Sequence, residues 1–318
     1  MNKKMHVSKN NVKNLQYIKN FLNLNEVDML NLKIGFNSKI ENYDETKNTH
    51  YVDDEGYLIT YKIVEEEPVL NEELYFTYKL NNRGFRSQHF KELNKKDFNI
   101  LIAGCSNTFG YGLPNEFTWP NLITNKLKNK FLNKNVEMFN ISGPGHSIPL
   151  IIRNIICFIK KYGKPDIILI LFPDFGRDVV YESELVNNFV KIQYGEVKGK
   201  ITKNFNKYIN NYNFENSVFK NILNIQMLEE ICSISEILFF WSSWEMEDLF
   251  VYENLNLKNY LKLNLPHMAI LDEKDYFVYP HNDMKIPYYY VARDNSHPGW
   301  YWNNYWSEQL YEKILEKI

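Results

Sequence analysis

Residues 98–112 read FNILIAGCSNTFGYG, and the class of fold can be inferred outward from this segment. Its first half, FNILIAG, is apolar almost throughout, which is typical of a strand buried on both faces of a parallel sheet. The second half is rich in glycine and small residues, as expected of a tight turn that leads from the strand into a helix. Ser106 stands at the tip of this turn, where its hydroxyl is exposed at the carboxyl edge of the sheet. Such a serine is either a nucleophile or part of a phosphate-binding turn or a helix cap.

The same order of apolar strand, turn and helix recurs along the rest of the chain. VEMFNISGPGHS (136–147) leads into the helical IPLIIRNIICFIKKYG (148–163), PDIILILFPDFGRD (165–178) adds a third strand, and EILFFWSSW (236–244) adds a fourth. Apolar strands that alternate with helices predict an α/β fold, a three-layer α/β/α sandwich around a central, mostly parallel sheet. Sites in such sheets lie beyond the carboxyl ends of the strands. Chemistry is therefore expected in the turn that follows each strand.

The domain with this pattern is predicted to span residues 97–318, and residues 1–96 are predicted to form a small α+β appendage. In the appendage, one or two short amphipathic helices precede strands at 57–64 and 73–80, which an acidic turn containing proline separates. A polar stretch at about 182–216 interrupts the alternation in the larger domain. A connection of this length is typical of a lid over a site or of an inserted hairpin.

Composition excludes several classes of partner. The chain has 318 residues, with 37 basic and 39 acidic side chains, and its formal net charge is -2. This balance argues against nucleic acid or an anionic membrane as a partner, because both call for a clustered basic excess. No run of about 18 apolar residues is present, and no apolar stretch follows the basic amino terminus as a signal peptide requires, so we expect a cytoplasmic protein. The sequence does not indicate the oligomeric state.

The cysteines and histidines give no sign of a metal or cofactor. Cys105, Cys157 and Cys232 are widely spaced and form no CxxC pair, so neither a disulfide framework nor a zinc site is predicted. His267 and His281 have no second ligand at metal spacing. We therefore expect no metal and no cofactor.

A second candidate motif, DNSHPG, lies at 294–299. Asp294 and His297 are three residues apart in a turn, so both can face one point, with the histidine as a general base and the aspartate fixing its tautomer. Taken alone, such a pair is more often a solvated loop or a helix cap. The order Ser106, Asp294, His297, near opposite ends of an α/β domain, favours the catalytic interpretation.

Four stretches of the chain resemble blocks of the SGNH, or GDSL-type, hydrolases. GCSNTFGYG resembles the GDSxTxG turn of that family, NISGPG (140–145) is similar to its second block, and DNSH resembles its final DxxH block. NNRGFRS (81–87) looks like the NxxGFR stretch that leads into the catalytic domain of some members. The resemblance covers roughly residues 75–318 and implies the flavodoxin-like SGNH fold.

The resemblance also implies an activity and a set of residues for it. By position, Ser106 is the nucleophile, His297 the base and Asp294 the carboxylate that orients the base. The backbone N–H groups of Ser106 and Gly145 are implied as donors to the oxyanion.

Two positions depart from the family's pattern. Cys105 stands where the family has an aspartate that braces the turn, and alternation along an extended turn predicts that its side chain faces inward. In the third block the chain reads LFPDFGRD, which puts Asp174 where the family has an asparagine that donates to the oxyanion. An ionised carboxylate cannot donate. Arg177 or Asn107 could replace this donor, although an ion pair of Arg177 with Asp174 or Asp178 is an equally weighted alternative.

Three residues near the same edge are candidate substrate contacts, each with an alternative. His146 follows Gly145 and is expected at the rim of the crevice, where exposure at a helix N-terminus explains it equally well. Trp241 ends the fourth strand and walls the pocket unless it packs in the core, which is the better-supported alternative. Asp174 is the third candidate.

The predicted function is therefore that of a serine esterase. It would hydrolyse a carboxylic ester through a Ser-His-Asp triad and an acyl-enzyme, on a small-molecule or glycan ester such as an O-acetylated carbohydrate. Two alternatives remain open: a glycan O-acyltransferase with the same chemistry, and a catalytically weakened carbohydrate-binding or structural module of the same fold.

Overall fold

A computed structural model describes residues 50–51, 61–64, 67–70, 78–182, 188–193, 196–198, 213–244 and 297–317, and residues 252–253, 255, 257 and 259–262 between them. Asp294 and the predicted amino-terminal helices lie outside the described residues.

The elements follow one another in the order β1 (His50–Tyr51), β2 (Tyr61–Val64), β3 (Glu67–Leu70), β4 (Tyr78–Lys79), β5 (Phe98–Gly104), α1 (Ser106–Phe109), α2 (Trp119–Lys130), β6 (Val136–Asn140), α3 (Ile148–Tyr162), β7 (Ile167–Phe172), β8 (Arg177–Glu182), β9 (Asn188–Gln193), β10 (Glu196–Lys198), α4 (Phe214–Ile234), β11 (Leu238–Ser243) and α5 (Trp300–Leu315).

The central sheet has four parallel strands in the order β11-β7-β5-β6. This is the flavodoxin-like doubly wound order. Strand β6 lies next to β5 on one side, and the chain then crosses back so that β7 lies next to β5 on its other side. The order reverses between β5 and β7, and sheets of this kind bind ligands at the carboxyl ends of the strands beside such a reversal. The predicted α/β sandwich around a mostly parallel sheet is confirmed.

Each face of the sheet carries its own apolar core. On one face, α3 and α4 pack over alternate residues of β5, including Leu101 and Ala103. On the other face, α2 and α5 cover the residues between them, including Ile100 and Ile102. Strands β5 and β7 are buried along their length because helices cover both faces, which explains why their sequences are almost entirely apolar.

The polar insertion begins as an antiparallel meander. Strand β8 pairs with β9, and β9 pairs with β10. Within the stretch 182–216, the described residues include the hairpin of β9 and β10.

The strands before the sheet differ in one respect from the prediction. Strand β2 lies in the predicted 57–64 segment and β4 in the 73–80 segment, but β3 occupies the acidic stretch that was predicted as a turn. There Pro68 lies opposite Ile63 in a two-stranded sheet. Proline is tolerated in such a pair because each strand has a free edge.

The chain between β4 and β5 packs against the larger domain. Phe85 is fully buried in the same core as α3, and the backbone N–H of Leu93 donates to the carbonyl of Tyr162 at 2.8 Å. Among the described residues, no helix is long and apolar enough to cross a bilayer.

Candidate active site

Three turns meet at the carboxyl edge of the sheet, where the strand order reverses. They follow β5, β6 and β7, and they carry Ser106, Gly145 and Asp174 respectively. The carboxyl ends of neighbouring parallel strands share one edge, so the fold itself brings these sequence-distant residues to one crevice.

Ser106 begins helix α1 directly after the strand. Cys105 before it is extended, with φ -98° and ψ -151°, and its side chain is fully buried, which confirms that it faces inward. Ser106 is only 8% exposed, so the prediction that it stands exposed at the edge is wrong, because the turns of neighbouring strands pack around it. Its backbone N–H is the first of the helix, and such groups have no acceptor within the helix. The serine therefore presents a hydroxyl and an N–H at the same point of the edge.

Gly104 is needed for the close approach of strand and helix in this turn. A Cβ at this position would collide with the side chain of Thr108 and lie 2.9 Å from the carbonyl oxygen of Leu171. Because that carbonyl belongs to β7, the glycine also lets the turn lie close against the neighbouring strand. A larger residue at 104 would displace the start of α1 and, with it, Ser106.

The loop after α1 folds back onto Ser106. The N–H groups of Gly110 and Tyr111 both donate to the carbonyl of Ser106, at 2.9 and 3.1 Å. Gly110 has φ +75°, the left-handed conformation that commonly ends a helix. The position of Tyr111 is therefore tied to that of Ser106.

His297 reaches the same place from the far end of the chain. Its ring lies against that of Tyr111, with 5.1 Å between the ring centroids and 45° between the planes. The side chain is partly exposed. The structure thus brings together the turn of Ser106 and the predicted base, although 190 residues separate them in the sequence.

Asn303 holds the His297 turn, and no sequence pattern marks it apart from its place near a helix start. The side chain is fully buried. Its Nδ2 donates to the carbonyls of Pro298 and Gly299 at 3.1 and 2.9 Å, and its Oδ1 accepts from the N–H of Trp119 at 2.9 Å. One amide group therefore joins the His297 turn to the start of α2.

The turn after β6 is braced by Asn140. Its Oδ1 accepts from the N–H and the hydroxyl of Ser142, at 3.0 and 2.5 Å. The N–H of Gly143 donates to the carbonyl of Gly104 at 3.3 Å, which joins this turn to the one that carries Ser106. Gly145 has φ +66°.

His146 does not lie at an exposed rim. It has no exposed surface, and its backbone N–H donates to the carbonyl of Gly143 at 3.1 Å. The tight turn closed by this bond carries the side chain beneath the surface.

In the turn after β7, Asp174 forms an ion pair. Its Oδ2 accepts from Nε of Arg177 at 2.6 Å, and the two side chains are 4% and 11% exposed. The guanidinium also lies over the ring of Trp244, 5.4 Å from its centre. Of the two roles that the sequence left open for Arg177, the structure contains the ion pair. The pair brings a compensating positive charge to the carboxylate at this edge.

The remaining candidates are buried. Trp241 is fully buried in the core, and its Nε1 donates to Oε1 of Glu229 at 2.9 Å. The structure therefore agrees with core packing, the better-supported of the two predictions for this residue. Asn107 is 5% exposed, next to Ser106.

No protein-family model and no curated protein matches the chain. Several solved structures do match at low identity. The psychrotrophic esterase EstA from Pseudoalteromonas sp. is 14% identical, with a TM-score of 0.39, over 70% of this chain and 98% of that one. A member of the lipolytic protein G-D-S-L family from Veillonella parvula is 12% identical, with a TM-score of 0.35, over 69% of this chain and 99% of that one. The lipase Lip_vut3 from a goat rumen metagenome is 18% identical, with a TM-score of 0.37, over 67% of this chain and 95% of that one. All three are lipolytic or ester-cleaving by name, but likeness at this level leaves the function to be argued from the site.

Proposed function

We propose that the protein is a serine ester hydrolase, with Ser106 as the nucleophile and His297 as the general base. The observation that carries the proposal is the contact between the rings of His297 and Tyr111, at 5.1 Å, because Tyr111 is hydrogen-bonded to Ser106. A serine at the carboxyl edge of a parallel sheet and a histidine held beside its turn are the two groups that acyl transfer requires.

The reaction would proceed in two halves. The Ser106 hydroxyl oxygen attacks the ester carbonyl while His297 takes its proton. The tetrahedral intermediate then collapses, and the alcohol leaves with that proton, which gives an acyl-enzyme. A water molecule attacks the acyl carbonyl, His297 takes the water's proton and returns it to the serine oxygen, and the carboxylic acid is released. Asp294 is proposed to orient the histidine, as the sequence motif implies.

The oxyanion would be stabilised by backbone groups. The first N–H of α1, on Ser106, and the N–H of Gly145 are the proposed donors, and the bond between Gly143 and Gly104 joins their two turns. Asp174 offers no donor, and loss of one donor costs roughly 10²–10³ in rate. The Arg177 pair limits the repulsion that a bare carboxylate would add. We therefore propose an active but slow esterase.

The proposed substrate is a small, uncharged acyl ester. Tyr111 and Trp244 are aromatic groups near the three turns, and Arg177 and Asp174 neutralise each other there. Neither charge is therefore available to bind an ionic substrate strongly. Simple acetyl esters, including O-acetylated sugars, are the first panel to assay.

The test is hydrolysis of p-nitrophenyl acetate by the wild type and by Ser106→Ala. We expect a loss of at least about 10³-fold in kcat, since removal of a nucleophile leaves only binding and oxyanion stabilisation. Ser307→Ala is a matched control, because its buried hydroxyl donates within its own helix, to the carbonyl of Asn304 at 2.8 Å. Full activity in Ser106→Ala would overturn the assignment.

A further inference from the structure

The segment before β5 makes direct contact with the loop that follows Ser106. Arg86 has 4% of its surface exposed, and its Nη1 donates to the carbonyls of Phe109 and Gly110 at 3.1 and 2.8 Å. Its Nη2 donates to the carbonyl of Leu113 at 2.7 Å. One planar guanidinium therefore spans both ends of this loop.

Tyr78 adds a fourth bond from the same segment. Its hydroxyl accepts from the N–H of Gly112 at 2.7 Å, and its ring lies under the guanidinium of Arg86, 4.7 Å from the ring centre. The ring of Tyr78 also stacks on that of Tyr111, at 6.1 Å. The two side chains thus form one unit, the Tyr78–Arg86 clamp, around residues 109–113.

The clamp supports a part of the chain that is not expected to be stable without it. Helix α1 has only four residues, and a helix this short is not stable alone because its last carbonyls have no partners within it. Arg86 donates to the carbonyl of the last helical residue, Phe109, and to that of Gly110, which follows it. The fit is close, since a Cβ on Gly110 would lie 3.1 Å from Nη1 of Arg86.

A buried cation in this position is costly, which argues against simple packing as its role. Burial lowers the pKa of Arg86 to about 10, so the side chain stays charged at neutral pH. No carboxylate pairs with it among the residues that the structure describes. Its charge is directed instead at three backbone carbonyls of one loop.

We propose that Arg86 is a positioning residue for the reaction, acting with Tyr78 through the loop 109–113. The loop is attached to Ser106 at one end and presents Tyr111 to His297, so the clamp sets the nucleophile against the base. The proposal rests on the proposed function. It assigns a catalytic purpose to a segment that lies outside the predicted hydrolase domain.

The test compares the rate at which a fluorophosphonate probe labels Ser106 in the wild type, Arg86→Lys, Arg86→Met and Leu228→Ala. Lysine keeps the positive charge but lacks the planar set of N–H donors of the guanidinium, and methionine has neither. Leu228 is fully buried in the core on the face of the sheet opposite to α2. Its alanine variant should therefore be less stable, with no direct effect on the loop 109–113. Thermal unfolding is measured for each protein, and labelling is done well below every midpoint.

We expect both Arg86 variants to label about 10- to 100-fold more slowly than the wild type, because small displacements of reacting groups cost this much. With p-nitrophenyl acetate, kcat should fall by a larger factor than KM rises, since the alignment of Ser106 and His297 matters most in the transition state. Leu228→Ala should label within about twofold of the wild type despite its lower stability.

The proposal is overturned if the Arg86 variants label at the wild-type rate, or if they slow no more than Leu228→Ala. If neither Arg86 variant folds, Tyr78→Phe decides, because it removes a single oxygen atom. Labelling slowed by about threefold or more then supports the clamp, and an unchanged rate contradicts it. A wild-type protein that the probe does not label at all contradicts the proposed function instead, so the two failures are distinct.

Discussion

Replacement of Asn303 by alanine should reduce both the stability of the protein and the reactivity of Ser106. The side chain is fully buried and makes three hydrogen bonds, two to the turn that follows His297 and one to the N–H of Trp119. Alanine leaves these backbone groups without this partner in a place that water does not reach. The substitution should therefore weaken the connection between the His297 turn and helix α2.

The size of the effect follows from the groups left unpaired. The carbonyl of Gly299 keeps a bond from the N–H of Asn303 at 3.2 Å, so the main losses fall on Trp119 N–H and the carbonyl of Pro298. A buried polar group without a partner costs roughly 1–3 kcal/mol, which gives roughly 2–6 kcal/mol of unfolding free energy for the two. The midpoint of thermal unfolding should fall by roughly 5–10 °C.

The assay pairs thermal unfolding with fluorophosphonate labelling at a temperature where every protein is folded. We expect Asn303→Ala to label at least about tenfold more slowly than the wild type, since the base is no longer held in place. Ser307→Ala, one turn further along α5, should label at the wild-type rate. A wild-type midpoint together with wild-type labelling in Asn303→Ala would show that this side chain does not hold the His297 turn.

Two further substitutions test the turns around Ser106. Gly104→Ala should lower the unfolding free energy by about 2–4 kcal/mol, because the new Cβ meets Thr108 and the Leu171 carbonyl, and Gly104→Ala/Thr108→Ala should recover part of the loss in urea unfolding. If Gly104→Ala unfolds at the wild-type urea concentration, the close approach in this turn is misjudged. Arg177→Met should cost about 3 kcal/mol, since it leaves the carboxylate of Asp174 buried without its partner, and adding Asp174→Asn should restore much of it. Equal stability of Arg177→Met and the wild type in the same assay would contradict this.

The elements of the α/β domain were predictable because their patterns are local. Strand β5 spans the apolar run FNILIAG, and helix α3 spans all but the last residue of the predicted helical segment 148–163. The fold class followed from the alternation of these elements. Strand β3 was missed because an acidic, proline-containing segment has turn chemistry, and pairing with β2 overrides that preference.

The groups that shape the candidate site were harder to predict, because they act over long sequence distances through backbone atoms. Asn303 binds an N–H that lies 184 residues away, and Arg86 binds a carbonyl 27 residues away. A hydrogen bond to a backbone group leaves no pattern in the partner's sequence, since every residue offers the same N–H and C=O. The choice between the two roles of Arg177 depended likewise on a side-chain geometry that the motif does not determine. The roles of Ser106 and His297 remain predictions.

The central claim, that Ser106 is a nucleophile activated by His297, is tested most directly by mass spectrometry after exposure to a fluorophosphonate. This assignment of Ser106 predicts a single adduct on the peptide that contains it. It also predicts no adduct in Ser106→Ala and labelling slowed by about 10³-fold or more in His297→Asn. The absence of an adduct on the folded wild-type protein, or an adduct on another residue that Ser106→Ala retains, would contradict it.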